Sequence, residues 1–417
     1  MLQLFAIFIC ATTLLAVVNY RFLGLPSTIG VMVVALLASL AMQLLDYFGF
    51  SGVGHEVELL MHKIDFNDLL MNWMLGFLLF AGALHVNLKD LKAYLMPIGI
   101  LSTVGVVMST LLIGYFSYWL FDFMGMHINI WYCMVFGALI SPTDPIAVLG
   151  ILRSAGAPKS LEMTIVGESL FNDGVAVVLF SVILGIIHVG STPTIQAGLG
   201  LFLHEAGGGV ILGGLLGVAS YLLMRKIDDY QIEVMLTLAV VIGGSTLAST
   251  FHVSGPIAMV VAGLIIGNPI RKYIMSDTSR RYLDDFWELL DSMLNALLFA
   301  LIGMEILILP FDLQHVIAAG ILILLVLFAR WLTVSPVVFF SPKWRKVSRG
   351  TKAILTWGAL RGGVSVALAL SLPLGPEREL IITITYIIVL ASILIQGLSI
   401  GKLVKRVAGK TDNTLEV

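Results

Sequence analysis

Glu168, Asn172 and Asp173 fall within a turn and a half of one another in Gly167-Glu168-Ser169-Leu170-Phe171-Asn172-Asp173-Gly174, inside an otherwise apolar run over 161–188. A charged side chain at mid-bilayer depth costs about 2.5–3.5 kcal/mol on insertion scales, so such groups face a cavity and mark ion or proton paths. Ser169 and Asp173, four residues apart, share one helix face, and Glu168 and Asn172 share the next. A second stretch, Ser141-Pro142-Thr143-Asp144-Pro145, sets two prolines three residues apart in an apolar run. Each removes a backbone donor and clashes with a preceding carbonyl, which predicts a broken helix. Freed carbonyls beside Thr143 and Asp144 make a hard-oxygen site for a small cation. The plainer alternative is a kinked helix whose second half Asp144 caps. A third stretch, Leu360-Arg361-Gly362-Gly363, carries a guanidinium ~15 Å into its run and a glycine pair that marks a second interruption. Interruptions at corresponding places in two halves point to a secondary transporter's binding site.

Depth suggests the pairing of charges. At ~1.5 Å per residue from Ser160, Glu168 lies about 12 Å deep and Asp173 about 20 Å. Glu168 is therefore expected to pair with Arg361, a structural role because a fully paired charge exchanges poorly. Arg330, nearer the basic end of its run, reads as snorkelling or capping. Asn295, Glu305 and Glu233 read as helix–helix hydrogen-bond or interface residues, and the glycine runs at 207–209 and 213–214 as close-packing surfaces. The eight histidines form no ligand-like pair.

The elements that must hold these residues are membrane helices. The chain has 417 residues, a mean hydropathy of +1.00 and 12% charged residues, about half the charge of a soluble domain. No basic helix or domain suits nucleic acid. Cys10 and Cys133 lie in apolar runs and read as buried small side chains without a disulfide. Thirteen runs approach spanning length: 2–20, 24–46, 69–86, 94–121, 130–151, 161–189, 197–224, 232–250, 255–270, 284–308, 314–340, 351–373 and 379–404. The first has no positive residue before it and reads as a retained span. Alternate connections and the tail hold 20 of the 24 Lys and Arg residues, whereas the opposite connections hold only Lys63 and Arg378. By the positive-inside rule the N-terminus is expected outside and the C-terminus in the cytoplasm. Leu415-Glu416-Val417 matches the start of a protease-cleavage linker, so 408–417 is expected to be a short tail carrying a tag remnant.

These motifs resemble the NhaP-type bacterial sodium/proton antiporters of the monovalent cation/proton antiporter family. The resemblance rests on Ser141-Pro142-Thr143-Asp144-Pro145-Ile146-Ala147-Val148, on 167–174, on Leu360-Arg361-Gly362-Gly363, and on Gly255-Pro256-Ile257-Ala258 with Gly263-Leu264-Ile265-Ile266-Gly267-Asn268. It covers about residues 70–400. It implies an all-α polytopic protein of about thirteen helices, an inverted-repeat fold with two broken crossing helices, and elevator-like alternating access. The unit is expected over 1–407, with core helices at about 69–189 and 284–404 and dimerisation helices at about 1–46 and 197–270. The resemblance also implies sodium held by Asp173, Thr143, Asp144 and Ser169, with Asp173 carrying cation or proton, and a Glu168–Arg361 pair. Asn172 before Asp173 resembles the electroneutral branch, with Asn172 orienting the site. Where some relatives carry an acidic residue, this chain has Ala81.

The function expected is exchange of Na⁺ or Li⁺ for H⁺, 1:1, serving cytoplasmic pH and sodium homeostasis, by a homodimer in a bacterial inner membrane. No cofactor and no enzymatic activity are expected. Potassium/proton exchange is the alternative within the class. A cation channel would want a continuous hydrophilic pore, and an intramembrane aspartyl protease would set Asp144 against Asp173 without needing the Thr-Asp-Pro break.

Overall fold

The computed structural model describes residues 2–48, 74–189, 195–270, 274–305, 312–340 and 350–412. Backbone polar groups in lipid must be satisfied within the segment that carries them, which leaves helices as the available element. Among the described residues every regular element is helical, and strand-like pairing is confined to one isolated bridge, Asp144 with Leu360.

In chain order the helices are α1 (Leu2–Val18), α2 (Ser27–Tyr47), α3 (Leu75–His85), α4 (Leu88–Ala93), α5 (Leu95–Ile100) and α6 (Val106–Phe123). Next come α7 (Ile130–Ile140), α8 (Ile146–Ser154), α9 (Lys159–Val189), α10 (Ile195–Met224), α11 (Tyr230–Thr250) and α12 (Gly255–Ile265). The series ends with α13 (Asp277–Met304), α14 (Leu313–Phe340), α15 (Thr351–Trp357), α16 (Gly363–Leu370), α17 (Pro376–Ala391) and α18 (Leu398–Asp412). A π-helical turn at Ser392–Gly397 joins α17 to α18 in one continuous rod.

Described helix lies in each of the thirteen apolar runs. Nine helices among the described residues are long and apolar enough to cross a membrane alone. The runs at 69–86, 130–151, 255–270 and 351–373 hold shorter or interrupted helices. Residues 69–73 and 306–308, the loop cations Lys63, Arg271, Lys272, Lys343, Arg345, Lys346 and Arg349, and Leu415-Glu416-Val417 lie outside the described residues. Cys133 is buried as expected, but Cys10 is exposed on the outward side of α1.

Two packing regions position the site. In one, α10 presses its glycines against α12: a side chain at Gly209 would meet the Ser254 carbonyl at 2.7 Å, and one at Gly213 would overlap the Ala258 carbonyl. Helix α12 in turn seats Gly263 against the Phe80 carbonyl of α3, and α13 seats Gly303 against the Met32 carbonyl of α2. Lipid gives helices no hydrophobic drive to associate, so such close backbone approach carries the packing. Trp287 of α13 is wholly buried here against Phe77, Phe80 and Phe286, and its indole donates to Thr237 Oγ1 at 3.0 Å. In the second region α6, α9, α14 and α17 surround the interrupted helices. Gly114 and Gly137 bring α6 and α7 into backbone contact there.

Candidate functional site

Both interruptions are present. The first separates α7 from α8 at Ser141–Pro145, and the second separates α15 from α16 at Gly358–Gly362. The two cross: Asp144 N–H donates to the Leu360 carbonyl at 2.8 Å. A backbone donor freed by one break is thus satisfied by a carbonyl freed by the other, which meets the demand that buried backbone groups be paired. Gly362 makes the crossing possible, since a Cβ there would overlap the Asp144 carboxylate.

The carbonyls left at the C-terminal end of α7 are taken by a cation. Arg361 donates to the Ser141 carbonyl at 2.6 Å and the Pro142 carbonyl at 2.8 Å. A guanidinium at a helix C-terminus both fills orphan acceptors and opposes the negative end of the dipole. Its own backbone N–H donates to Ser392 Oγ at 2.9 Å. The end of α15 is closed in the same manner, by Arg330 Nε on the Leu355 carbonyl at 3.2 Å and Gln396 on the Trp357 carbonyl at 3.1 Å.

This overturns the expected Glu168–Arg361 pair. Glu168 of α9 forms a two-pronged ion pair with Arg330 of α14, with Nη2 2.7 Å from Oε2 and Nη1 in still closer contact with Oε1. Arg330 does not snorkel; it is buried. The physical reason is lateral: Arg330, which also bonds the Leu355 carbonyl, reaches the Glu168 carboxylate, while Arg361 is turned to the carbonyls at the end of α7. Ser392 and Gln396 were also missed; the available signal was their polarity inside an apolar run.

Thr143, Ser169 and Asn172 come together beside the crossing. Thr143 Oγ1 accepts from Asn172 Nδ2 at 2.9 Å and lies 3.2 Å from Ser169 Oγ. All three are buried, whereas Asp144 and Asp173 are half-buried and within electrostatic reach of one another. The arrangement sets buried neutral polar side chains beside two half-buried carboxylates. Oxygen ligands with carboxylate charge suit a hard cation or a proton. Ala81 stands elsewhere, in the apolar cluster that α3 forms with α10–α13, and contributes no oxygen from its side chain. Asn295, Glu305 and Glu233 are buried; Asn295 lies one turn before Leu298, which packs on Gly363.

Comparison with known proteins agrees with this architecture. Residues 7–406 match the family described as sodium/hydrogen exchanger, transmembrane. The chain is 59% identical over 411 residues to the Na(+)/H(+) antiporter NhaP of Pseudomonas aeruginosa, covering 98% of this chain and 97% of that one. It is 36% identical over 312 residues to the Na(+)/H(+) antiporter NhaH of Halobacillus dabanensis, covering 73% and 75%. Among solved structures, the sodium proton antiporter MjNhaP1 of Methanocaldococcus jannaschii at pH 8 superposes with a TM-score of 0.73 at 21% identity, over 97% of each chain. That likeness extends the shared fold to the whole molecule. The chain is a multi-pass membrane protein of the sodium/hydrogen exchanger family.

Proposed function

We propose that this protein exchanges sodium for protons by alternating access, with Asp173 as the carrier. One observation supports the reading above all others: two half-buried carboxylates stand beside buried Thr143, Ser169 and Asn172 where two broken helices cross. Thr143, Asp144, Ser169 and Asp173 hold the cation. Asn172 is braced on Thr143 and orients the site without titrating.

The chemistry is a competition. Sodium requires Asp173 ionised, so its arrival releases the proton; a proton on Asp173 removes the charge that holds sodium. The empty, ionised site crosses the membrane poorly because its buried charge is uncompensated. Obligatory exchange follows, and with Asn172 neutral one proton leaves per sodium bound.

The packing supports a division of labour. The interrupted helices with α5, α6, α9, α14, α17 and α18 form the moving core, and α1–α3 with α10–α13 form the frame and the dimer contact. Sequence runs 69–86 and 284–308 were expected in the core; we assign them to the frame because Gly263 and Gly303 lock α3 and α13 onto α12 and α2. Basic-residue distribution supports a cytoplasmic C-terminus and a bacterial inner-membrane location.

The test is proton flux in proteoliposomes carrying a pH gradient, with sodium, lithium or potassium added in turn. Wild-type protein is expected to give a sodium-triggered signal that Asp173→Asn abolishes while the protein still melts cooperatively. Sodium-dependent flux retained in the folded mutant would remove Asp173 from its role. A signal with potassium alone would keep the mechanism and change the substrate.

A further inference from the structure

Away from the crossing, a concavity of about 610 Å³ opens between the ends of α14, α15 and α18. Its wall carries Trp331, Lys352, Trp357, Ser399, Lys402 and Arg406. Lys402 and Arg406 are four residues apart and share one face of α18. Lys352 Nζ stands 4.0 Å over the Trp331 ring, and Trp357 Nε1 donates to Ser399 Oγ at 2.8 Å. Three cations converge with the hydroxyls of Thr356 and Ser399, and among the described residues no carboxylate lines the space. The concavity sits at the basic end of the bundle, where the chain concentrates its Lys and Arg residues.

The apolar side of the same feature has a direction. Trp331 stacks on Phe328, with ring centroids 6.0 Å apart. Phe328 and Leu324, one and two turns further into the membrane on α14, are 55% and 69% exposed. A headgroup-level aromatic followed by an exposed apolar track toward the bilayer centre matches the shape of a lipid: anion at the rim, acyl chain down the helix. A free anion would use the cations and leave the track idle. A soluble peptide could not follow it into lipid.

We propose that this concavity seats an anionic phospholipid of the leaflet at the basic end, its phosphate held by Lys352, Lys402 and Arg406 and one acyl chain laid along Phe328 and Leu324. The seat touches the transport machinery directly. Trp357 is the last residue of α15 before the second break, and it is tied to α18 through Ser399.

The experiment is thermal unfolding of the detergent-purified full chain, titrated with phosphatidylglycerol, phosphatidylcholine or inorganic phosphate. Phosphatidylglycerol is expected to raise Tm, and the other two are not. In Lys402→Gln/Arg406→Gln the midpoint of that response moves to about 30-fold higher lipid, because each cation near an anionic headgroup contributes about fivefold in affinity. Lys89→Gln/Lys92→Gln removes two exposed cations elsewhere at the same end and is expected to leave the midpoint unchanged. If the double variant melts poorly without lipid, Lys352→Gln serves instead, with about a fivefold shift expected. Equal stabilisation by phosphatidylcholine, an unshifted midpoint in the groove variants, or an equal shift in the control would overturn the seat. A full response to inorganic phosphate alone would overturn it too, leaving a free-anion site.

Discussion

The two breaks meet at one point yet are built from opposite materials. Prolines interrupt the first, which carries a hydroxyl and a carboxylate, Thr143 and Asp144; glycines form the second, which carries a guanidinium, Arg361. Proline breaks a helix by removing donors, so the first break has surplus carbonyls, and Arg361 reaches across to take two of them. Glycine breaks a helix by leaving space, and the space at Gly362 is filled by Asp144. Each break supplies what the other lacks. The lesson is that the cation ligands proposed at the crossing itself, Thr143 and Asp144, come from the proline break, while the glycine break and Arg361 hold that break in shape.

The largest structural effect expected is at the arginines, and it separates their roles. Removing one member of a buried ion pair typically costs 3–5 kcal/mol, because the survivor is left uncompensated. Glu168→Ala and Arg330→Ala should each lower stability on that scale, and the double mutant should lose far less than their sum. Glu168→Ala with Arg361→Ala should couple more weakly, since Arg361 is hydrogen-bonded to carbonyls and feels that carboxylate only through space. Thermal unfolding of the three single and two double mutants measures both couplings. Strong coupling in the Arg361 cycle with none in the Arg330 cycle would reverse the assignment.

That comparison also explains what could be read from the chain alone. Helical fold, both interruptions and the polar cluster at Thr143, Ser169, Asn172 and Asp173 were legible, because charge and proline in an apolar run are costly and therefore informative. The partner of Glu168 was not legible. One-dimensional depth points to Arg361, and only the lateral arrangement of α9, α14 and α15 decides between it and Arg330. Gln396 and Ser392 escaped for a related reason: their use as caps depends on which broken end they face, a fact absent from their own helix. Gly263 and Gly303 likewise announce close contact in the sequence without naming the neighbour.

A smaller effect on stability, but a clear one on transport, is expected from Gly362→Ala. The new methyl group must displace the Asp144 carboxylate, and overpacking of this kind costs about 1–3 kcal/mol. Because the displaced group is a cation ligand in the proposed site, the apparent KM for sodium should rise about tenfold or more, a loss of about 1.4 kcal/mol of binding. Gly363→Ala is the control for overpacking alone, as its Cβ would meet Leu298 at 2.5 Å and not the carboxylate. Equal KM values in the two variants would place Asp144 outside the ion site.

The smallest effect tests an asymmetry in how the breaks are secured. At the first break the exposed N–H, that of Asp144, is satisfied by the main chain of Leu360. At the second, the N–H of Arg361 is satisfied by a side chain, Ser392 Oγ, from the π-helical turn between α17 and α18. A main-chain bond survives any substitution, whereas Ser392→Ala leaves a buried donor without its partner, at a cost of about 1–3 kcal/mol. Turns of this wider kind are frequent at functional sites, and here the turn aims Ser392 and Gln396 at the same broken end. Ser392→Ala should therefore lower Tm by a few degrees and leave the apparent KM for sodium near that of wild type, since no cation ligand moves. Ser392→Thr, which keeps the hydroxyl, should restore the Tm. A rise in KM as large as that of Gly362→Ala would mean that the second break shapes the ion site directly, and that the division between a holding break and a supporting one is too sharp.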